Sequence, residues 1–109
     1  MKFYEKLPDM ECMVGDTLPE FNISVSDENL SGCRMQVILA DSKTPETAVL
    51  CKECTAVTDG FRVILKSEDT ANLTGGTTYF MHFRLINSDG LSYRKLHGCL
   101  IARAVPKGD

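Results

Sequence analysis

A chain of 109 residues forms one domain, 1–109, with room for one modest core. Its hydrophobic content of 43% and charged content of 25% are ordinary for a soluble globular protein, and no run approaches the ~18 apolar residues of a membrane span. The formal net charge of −3 argues against a general nucleic-acid binder, which needs cations to release counterions from phosphates.

The N-terminal stretch Met1-Lys2-Phe3-Tyr4-Glu5-Lys6-Leu7-Pro8 has no apolar core of the secretory kind, so the expected setting is a reducing cytoplasm. Residues Met1–Asp9 read equally as a first strand or as an arm that pairs with another subunit. Period-two alternation then dominates. In Leu18–Val25, Phe21, Ile23 and Val25 point one way, and Asn22 and Ser24 the other. Asp27 to Gly32 is a turn. In Cys33–Ala40, the inner face is Cys33, Met35, Val37 and Leu39, with Arg34 and Gln36 facing out. Asp41 to Glu46, with Pro45, is a loop. Val49 to Val57 is extended, and Asp59-Gly60 is a tight hairpin turn into Phe61–Leu65.

The segment Ser67 to Leu73 breaks the pattern. Ser67 is placed to cap a single helical turn. Glu68 and Asp69 sit where the helix dipole favours negative charge. Leu73 drops into the core, and Gly75-Gly76 swings the chain onward. A long strand follows at Thr78–Ile86: Tyr79, Met81, Phe83 and Leu85 lie on one face, and Phe80, His82, Arg84 and Ile86 on the other. Ser88-Asp89-Gly90 closes a hairpin. In the last strand Leu96, Leu100, Ala102 and Ala104 alternate with Lys95, His97 and Arg103, and Gly98 permits a bulge. About seven strands with turns roughly every ten residues predict an all-β, immunoglobulin-like antiparallel sandwich carrying one short helical turn near 67–73.

Chemistry is sparse. Cys51-Lys52-Glu53-Cys54 is the most tempting motif, but no second CxxC or HxxxH supplies the other two zinc ligands. An extended segment also points residues three apart to opposite faces. Five cysteines, an odd count without a secretory signal, argue against a disulfide framework. Cys51 and Cys54 stay as the weak metal candidates. Ser88, His97 and Asp89 make a triad only on paper, because no nucleophile elbow precedes a helix. Thr74-Gly75-Gly76 lacks the lysine of a phosphate loop. No catalytic residue and no cofactor is expected. Outward residues of the last two long strands, Phe80, His82, Arg84, Ile86, Arg94, Lys95, His97 and Arg103, form the candidate interaction surface.

Several turn and strand motifs recur in a fixed order: Gly15-Asp16-Thr17, Asp27…Leu30-Ser31-Gly32, Gly60, Thr70-Ala71-Asn72-Leu73, Tyr79, Asp89-Gly90 and Gly98. In that order they resemble the small immunoglobulin-like modules of tailed-phage and prophage structural proteins, in particular the N-terminal region of baseplate upper proteins. The likeness runs from Gly15 to Val105. The CxxC loop and the Met- and Cys-rich interior lie outside the pattern. The resemblance implies a non-enzymatic role in a virion, tail or baseplate. It implies other virion proteins, or further copies of the chain, as partners, and a location in the virion or in the bacterial cytoplasm before assembly. The competing expectation is a carbohydrate- or cell-surface-binding module, which calls for exposed aromatic side chains at a loop end and a calcium site of loop carboxylates.

Overall fold

The computed structural model describes residues 9–25, 32–41, 48–58 and 60–104, excepting the side chains of 93–97. In chain order the elements are β1 Met10–Met13, β2 Phe21–Ser24, β3 Arg34–Ala40, β4 Ala48–Glu53, β5 Thr55–Val57, β6 Gly60–Val63, α1 Ser67–Thr70, β7 Thr78–Ile86 and β8 Ser92–Arg103. They build two sheets, one of five strands in the order β1-β8-β7-β3-β4 and one of three in the order β2-β6-β5. The chain crosses between sheets at β1–β2, β2–β3, β4–β5 and β6–β7. The result is an immunoglobulin-like β-sandwich.

The inner faces meet in one core. Met35, Val37 and Leu39 of β3, and Tyr79, Met81, Phe83 and Leu85 of β7, pack against Ile23 of β2 and Phe61 and Val63 of β6. Phe61, Phe83, Met35 and Leu39 are fully buried, each worth about 1.5–3 kcal/mol relative to exposure. All five cysteines are free, so no covalent pin joins the sheets. Met81 stands two residues after Tyr79, where antibody domains carry the second cysteine of their inter-sheet disulfide. Apolar packing replaces that bond here.

The long strands fall as their alternation predicts, β7 to the residue. Three features differ. First, β1 is an additional strand, and it runs parallel to β8, with Met10 opposite Leu100 and Cys12 opposite Ala102; all other neighbours are antiparallel. Second, the extended segment around the CxxC is two strands in two sheets. Cys54 lies at the crossing, where its N–H donates to the Met35 carbonyl at 2.8 Å. Third, the register of β8 slips beside Gly98: Gly98 pairs with Met81, but Leu96 pairs with His82. Position 97 is the extra residue, and the alternation changes phase there. Position 96 thus shares its register with the outward side of β7, not with Leu100. The turn at Asp27–Gly32, the loop at Asp41–Glu46 and the arm before Asp9 fall wholly or mostly outside the described residues.

The helical turn forms where the sequence places it, with a different cap. Lys66 occupies the cap position, and its N–H donates to Asp69 Oδ2 at 2.8 Å. The Ser67 N–H instead donates to Thr17 Oγ1 at 3.0 Å. Thr70, fully buried, donates its hydroxyl to the Asp16 carbonyl at 2.6 Å. These two bonds tie the turn to the segment joining β1 and β2. Leu73 is buried in the core. Gly75 then passes so near β8 that a Cβ on it would lie 2.7 Å from Ala104 Cα. The Thr74 N–H donates to the Tyr79 hydroxyl at 2.8 Å, which is the tyrosine corner of immunoglobulin-like sandwiches. Lys52 Nζ reaches across from β4 to Asp69 Oδ2 at 2.5 Å.

Candidate interaction face

The register assigns Phe80, His82, Arg84, Ile86, Arg94 and Arg103 to one surface, the outer face of the five-stranded sheet, whereas Lys95 pairs with the inward Phe83 and position 97 is the extra residue of the slip. On β7 that face holds Phe80, His82, Arg84 and Ile86. Across β3 these pair with Ala40, Ile38, Gln36 and Arg34. Across β8, Phe80 pairs with Cys99 and Thr78 with Ile101. On β4, Cys51 and Glu53 stand opposite Ile38 and Gln36. On β1, Glu11 stands opposite Ile101, and Met13 opposite Arg103.

The middle of this face is apolar and its corners are charged. Phe80, Cys99 and Ile101 are half-buried, while Val49 (44%) and Met13 (39%) are exposed. Ile38 and Ala40 are buried outside the main core cluster. At one corner Arg34 Nη2 meets Glu53 Oε1 at 2.6 Å, and Gln36 Nε2 adds a bond to the same oxygen at 3.1 Å. The Arg34 hydrogen bond, foremost, holds the Glu53 carboxyl below its ordinary value. At the opposite corner Arg103 pairs with Glu11. Arg84 Nε donates to Ser92 Oγ at 2.7 Å. No described helix or strand lies over this face as a third layer.

Two candidates need correction: Lys95 shares the inward register of Phe83, and His82 is buried. His82 is only 5% exposed, so it belongs to the floor of the face and offers no contact surface. Phe80, Arg84 and Ile86 are half-buried, and Arg103 is exposed. Arg94, Lys95 and His97 lie on β8, with side chains outside the described residues. Ile38 and Ala40 are as buried as His82 and share the floor; Cys99, Ile101, Arg34, Glu53 and Glu11 complete the face and were not among the sequence candidates.

The two CxxC cysteines separate as extended geometry requires. Cys51 is exposed on the outer face, whereas Cys54 packs against the core. Burial, foremost, pushes the Cys54 thiol up to about 12, and it raises the Cys12 thiol as well. A low-pKa thiolate of the redox kind is therefore not present at Cys54. Among the described residues, no three His, Cys, Asp or Glu side chains group as metal ligands do.

On the outer side of the three-stranded sheet lies an open concavity of about 320 Å³, lined by Asn22, Ser24, Thr58 and Arg62 with Val57 and Gly60. Arg62 is already engaged there, with Asn22 Oδ1 at 3.4 Å and Glu20 Oε1 at 3.9 Å. No aromatic ring lines it. No helix among the described residues is long and apolar enough to cross a membrane. No protein-family model matches the chain, and neither the curated proteins nor the solved structures give a significant match.

Proposed function

We propose that this chain is a non-enzymatic structural module of a phage or prophage virion, in the tail or baseplate. It acts by protein–protein contact through the outer face of the five-stranded sheet. The observation that carries the contact reading is that face itself: half-buried Phe80, Cys99 and Ile101 over a buried floor of Ile38, Ala40 and His82, framed by paired charges at two corners. This is the composition of a protein interface, with an uncharged centre and a polar rim. The virion setting rests on the order of sequence motifs from Gly15 to Val105.

The sheet edges support the face as the attachment site, because each edge is blunted. β1 and β2 have four residues each and β5 has three, too short to template much pairing. β4 is longer, but Lys52 on it points inward opposite Val37. Its register with β3 also slips between Leu39 and Ala40, leaving Val49 as the extra residue. Inward charges and bulges are the devices that keep edge strands from pairing with other chains. At the concavity beside Arg62 no aromatic ring is present for a sugar to stack on.

The test is incorporation. Particles purified from a host producing the chain are analysed by mass spectrometry, with wild type and Ile101→Arg compared. Wild type present in stoichiometric amount, and the variant folded but missing from particles, is the expected result. A wild-type chain absent from particles overturns the virion reading.

A further inference from the structure

We propose that the open edge of β8, from Ser92 to Leu96, takes an acidic extended segment of a partner protein as a sixth strand of the five-stranded sheet. The proposal concerns the sheet edge, goes beyond the contact face described above, and stands whether or not the chain belongs to a virion.

β1 shields β8 only along its own length. β8 has twelve residues, and β1 pairs with the last four, Leu100–Arg103, which leaves eight, Ser92–Cys99, with no strand on that side among the described residues. On the other side Ser92–Leu96 pairs with β7 residue for residue, from Ile86 opposite Ser92 to His82 opposite Leu96, and the slip comes only at position 97. A strand paired on one side directs alternate N–H and C=O groups outward on the other, and those groups are the template for an added strand. The regular run spans about 17 Å. The remaining edges offer less. β2 and β5 are shorter, and β4 slips beside Ala40 and carries Lys52 inward.

Charge names the kind of strand. One row of the register runs Glu53, Gln36, Arg84 and Arg94, from β4 to β8. Glu53, at the far end, is held by Arg34 and Gln36. Arg84 and Arg94 thus stand directly opposite each other at the open edge, a relation in which like charges are destabilising. Arg84 Nε donates to Ser92 Oγ at 2.7 Å, and among the described residues no carboxylate pairs with it. Neither β7 nor β8 contains an Asp or Glu to offset the pair, and Lys95 adds a third cation to the same edge. A second copy of β8 laid along this edge would set Arg94 and Lys95 against themselves. A neutral strand would leave the arginines uncompensated. Lys95, in the inward register of Phe83, is the kind of charge that keeps uncharged strands off an edge. A strand bearing Asp or Glu at alternate positions satisfies the open main-chain groups and supplies the missing carboxylates together. Repulsion of the wrong strands is then part of the selection.

The probe is a synthetic peptide matching Ser92–Cys99 in length, with blocked ends and Glu alternating with Val. Peptides in which Ser or Lys replaces every Glu are its controls. The isotope-labelled full chain is titrated with each by NMR, and amide hydrogen exchange is measured with and without peptide. The Glu peptide is expected to bind with a Kd below about 1 mM, at least about fivefold tighter than the Ser peptide, with no measurable binding of the Lys peptide. Added salt weakens the binding. Exchange slows at alternate amides within Ser92–Leu96, and not in β2, β4 or β5. Arg84→Gln lies outside the core cluster and keeps the fold, as checked by thermal unfolding, while weakening the Glu peptide at least about threefold. Absence of binding at about 1 mM peptide overturns the proposal. Equal affinity for the three peptides overturns it too, as does binding that protects no β8 amide. Binding that appears only in a chain beginning at Asp9 assigns the edge to residues 1–8 of the chain itself and overturns the partner strand.

Discussion

Replacing Tyr79 by Phe isolates the bond that closes the tyrosine corner. The ring is 3% exposed and sits in the main core cluster, and Phe fills the same volume, so no cavity opens. What disappears is the 2.8 Å hydrogen bond that the hydroxyl accepts from the Thr74 N–H. A net hydrogen bond contributes about 0.5–1.5 kcal/mol, and a buried donor left without an acceptor costs about 1–3 kcal/mol. Thr74 is an exposed residue and the bond is part-buried, so water relieves some of that second cost. The expected loss is about 1–2 kcal/mol. For a domain of this size that lowers Tm by roughly 5–12 °C. With a urea slope near 1.5 kcal/mol per M, it moves the midpoint by about 1 M. Urea unfolding followed by far-ultraviolet circular dichroism reads it directly, with an unchanged slope as the check on two-state behaviour. A midpoint shift under about 0.2 M would show that the corner contributes only ring burial, and the argument for the hydrogen bond would be refuted.

Other outcomes follow from single distances. Gly60→Ala would put a Cβ 1.9 Å from the Ile23 carbonyl oxygen, breaking the β2–β6 pairing at Ser24. A loss above about 3 kcal/mol is expected, against about 1 kcal/mol for Gly76→Ala, where φ is +86° and nothing lies within 4 Å; chemical denaturation of both variants checks the order. For the Asp69 carboxyl, burial alone would raise the pKa, but Lys52 Nζ and the Lys66 N–H outweigh it and hold it below 3.8. The stability it contributes is therefore present above the unfolded value of roughly 3.9 and lost as pH falls through the folded one. Asp69→Asn should cost about 1–2 kcal/mol at neutral pH, with the gap to wild type closing below roughly pH 4 in urea titrations. Alkylation of the dilute native protein, resolved by peptide mass spectrometry, should label the exposed Cys51 quickly and Cys54 and Cys12 only on unfolding. Equal native rates at Cys51 and Cys54 would contradict the burial assigned to Cys54.

The parts of the fold legible in the sequence are those where local pattern and tertiary burial agree. In β7, Tyr79, Met81, Phe83 and Leu85 alternate over nine residues, so one register alone buries them. The Ser67–Leu73 turn is visible because its acidic residues and Leu73 each have a local role. Its cap falls at Lys66 and not at Ser67, and the Ser67 amide is taken by Thr17, a contact 50 residues away that no window around Ser67 contains. β1 is four residues of Met-Glu-Cys-Met, and its parallel pairing with β8 spans nearly the whole chain. The slip beside Gly98 is the bulge that this glycine permits, but its consequence, the change of phase at 96, depends on the partner strand. The interaction face was half legible. Phe80 and Ile86 could be read from β7 alone. Val37-Ile38-Leu39-Ala40, apolar on both faces, carried the remaining signal, since Ile38 and Ala40 continue the outward phase of Arg34 and Gln36. The Glu11–Arg103 corner, 92 residues apart, has no local signature.

Residues 51 to 54 join these observations into one physical statement. The segment must leave the five-stranded sheet and enter the three-stranded one, so its side chains face three environments within four positions. Cys51 looks out over the face, Lys52 looks in and closes the open side of the sandwich on Asp69, Glu53 pairs with Arg34, and Cys54 turns into the core. A motif that suggests thiol chemistry is thus the local cost of changing sheets. The same crossing also shapes the edge and the outer face of the five-stranded sheet. By directing Lys52 inward it removes the longest edge strand from main-chain pairing, and by directing Cys51 and Glu53 outward it extends the apolar face and charges its corner.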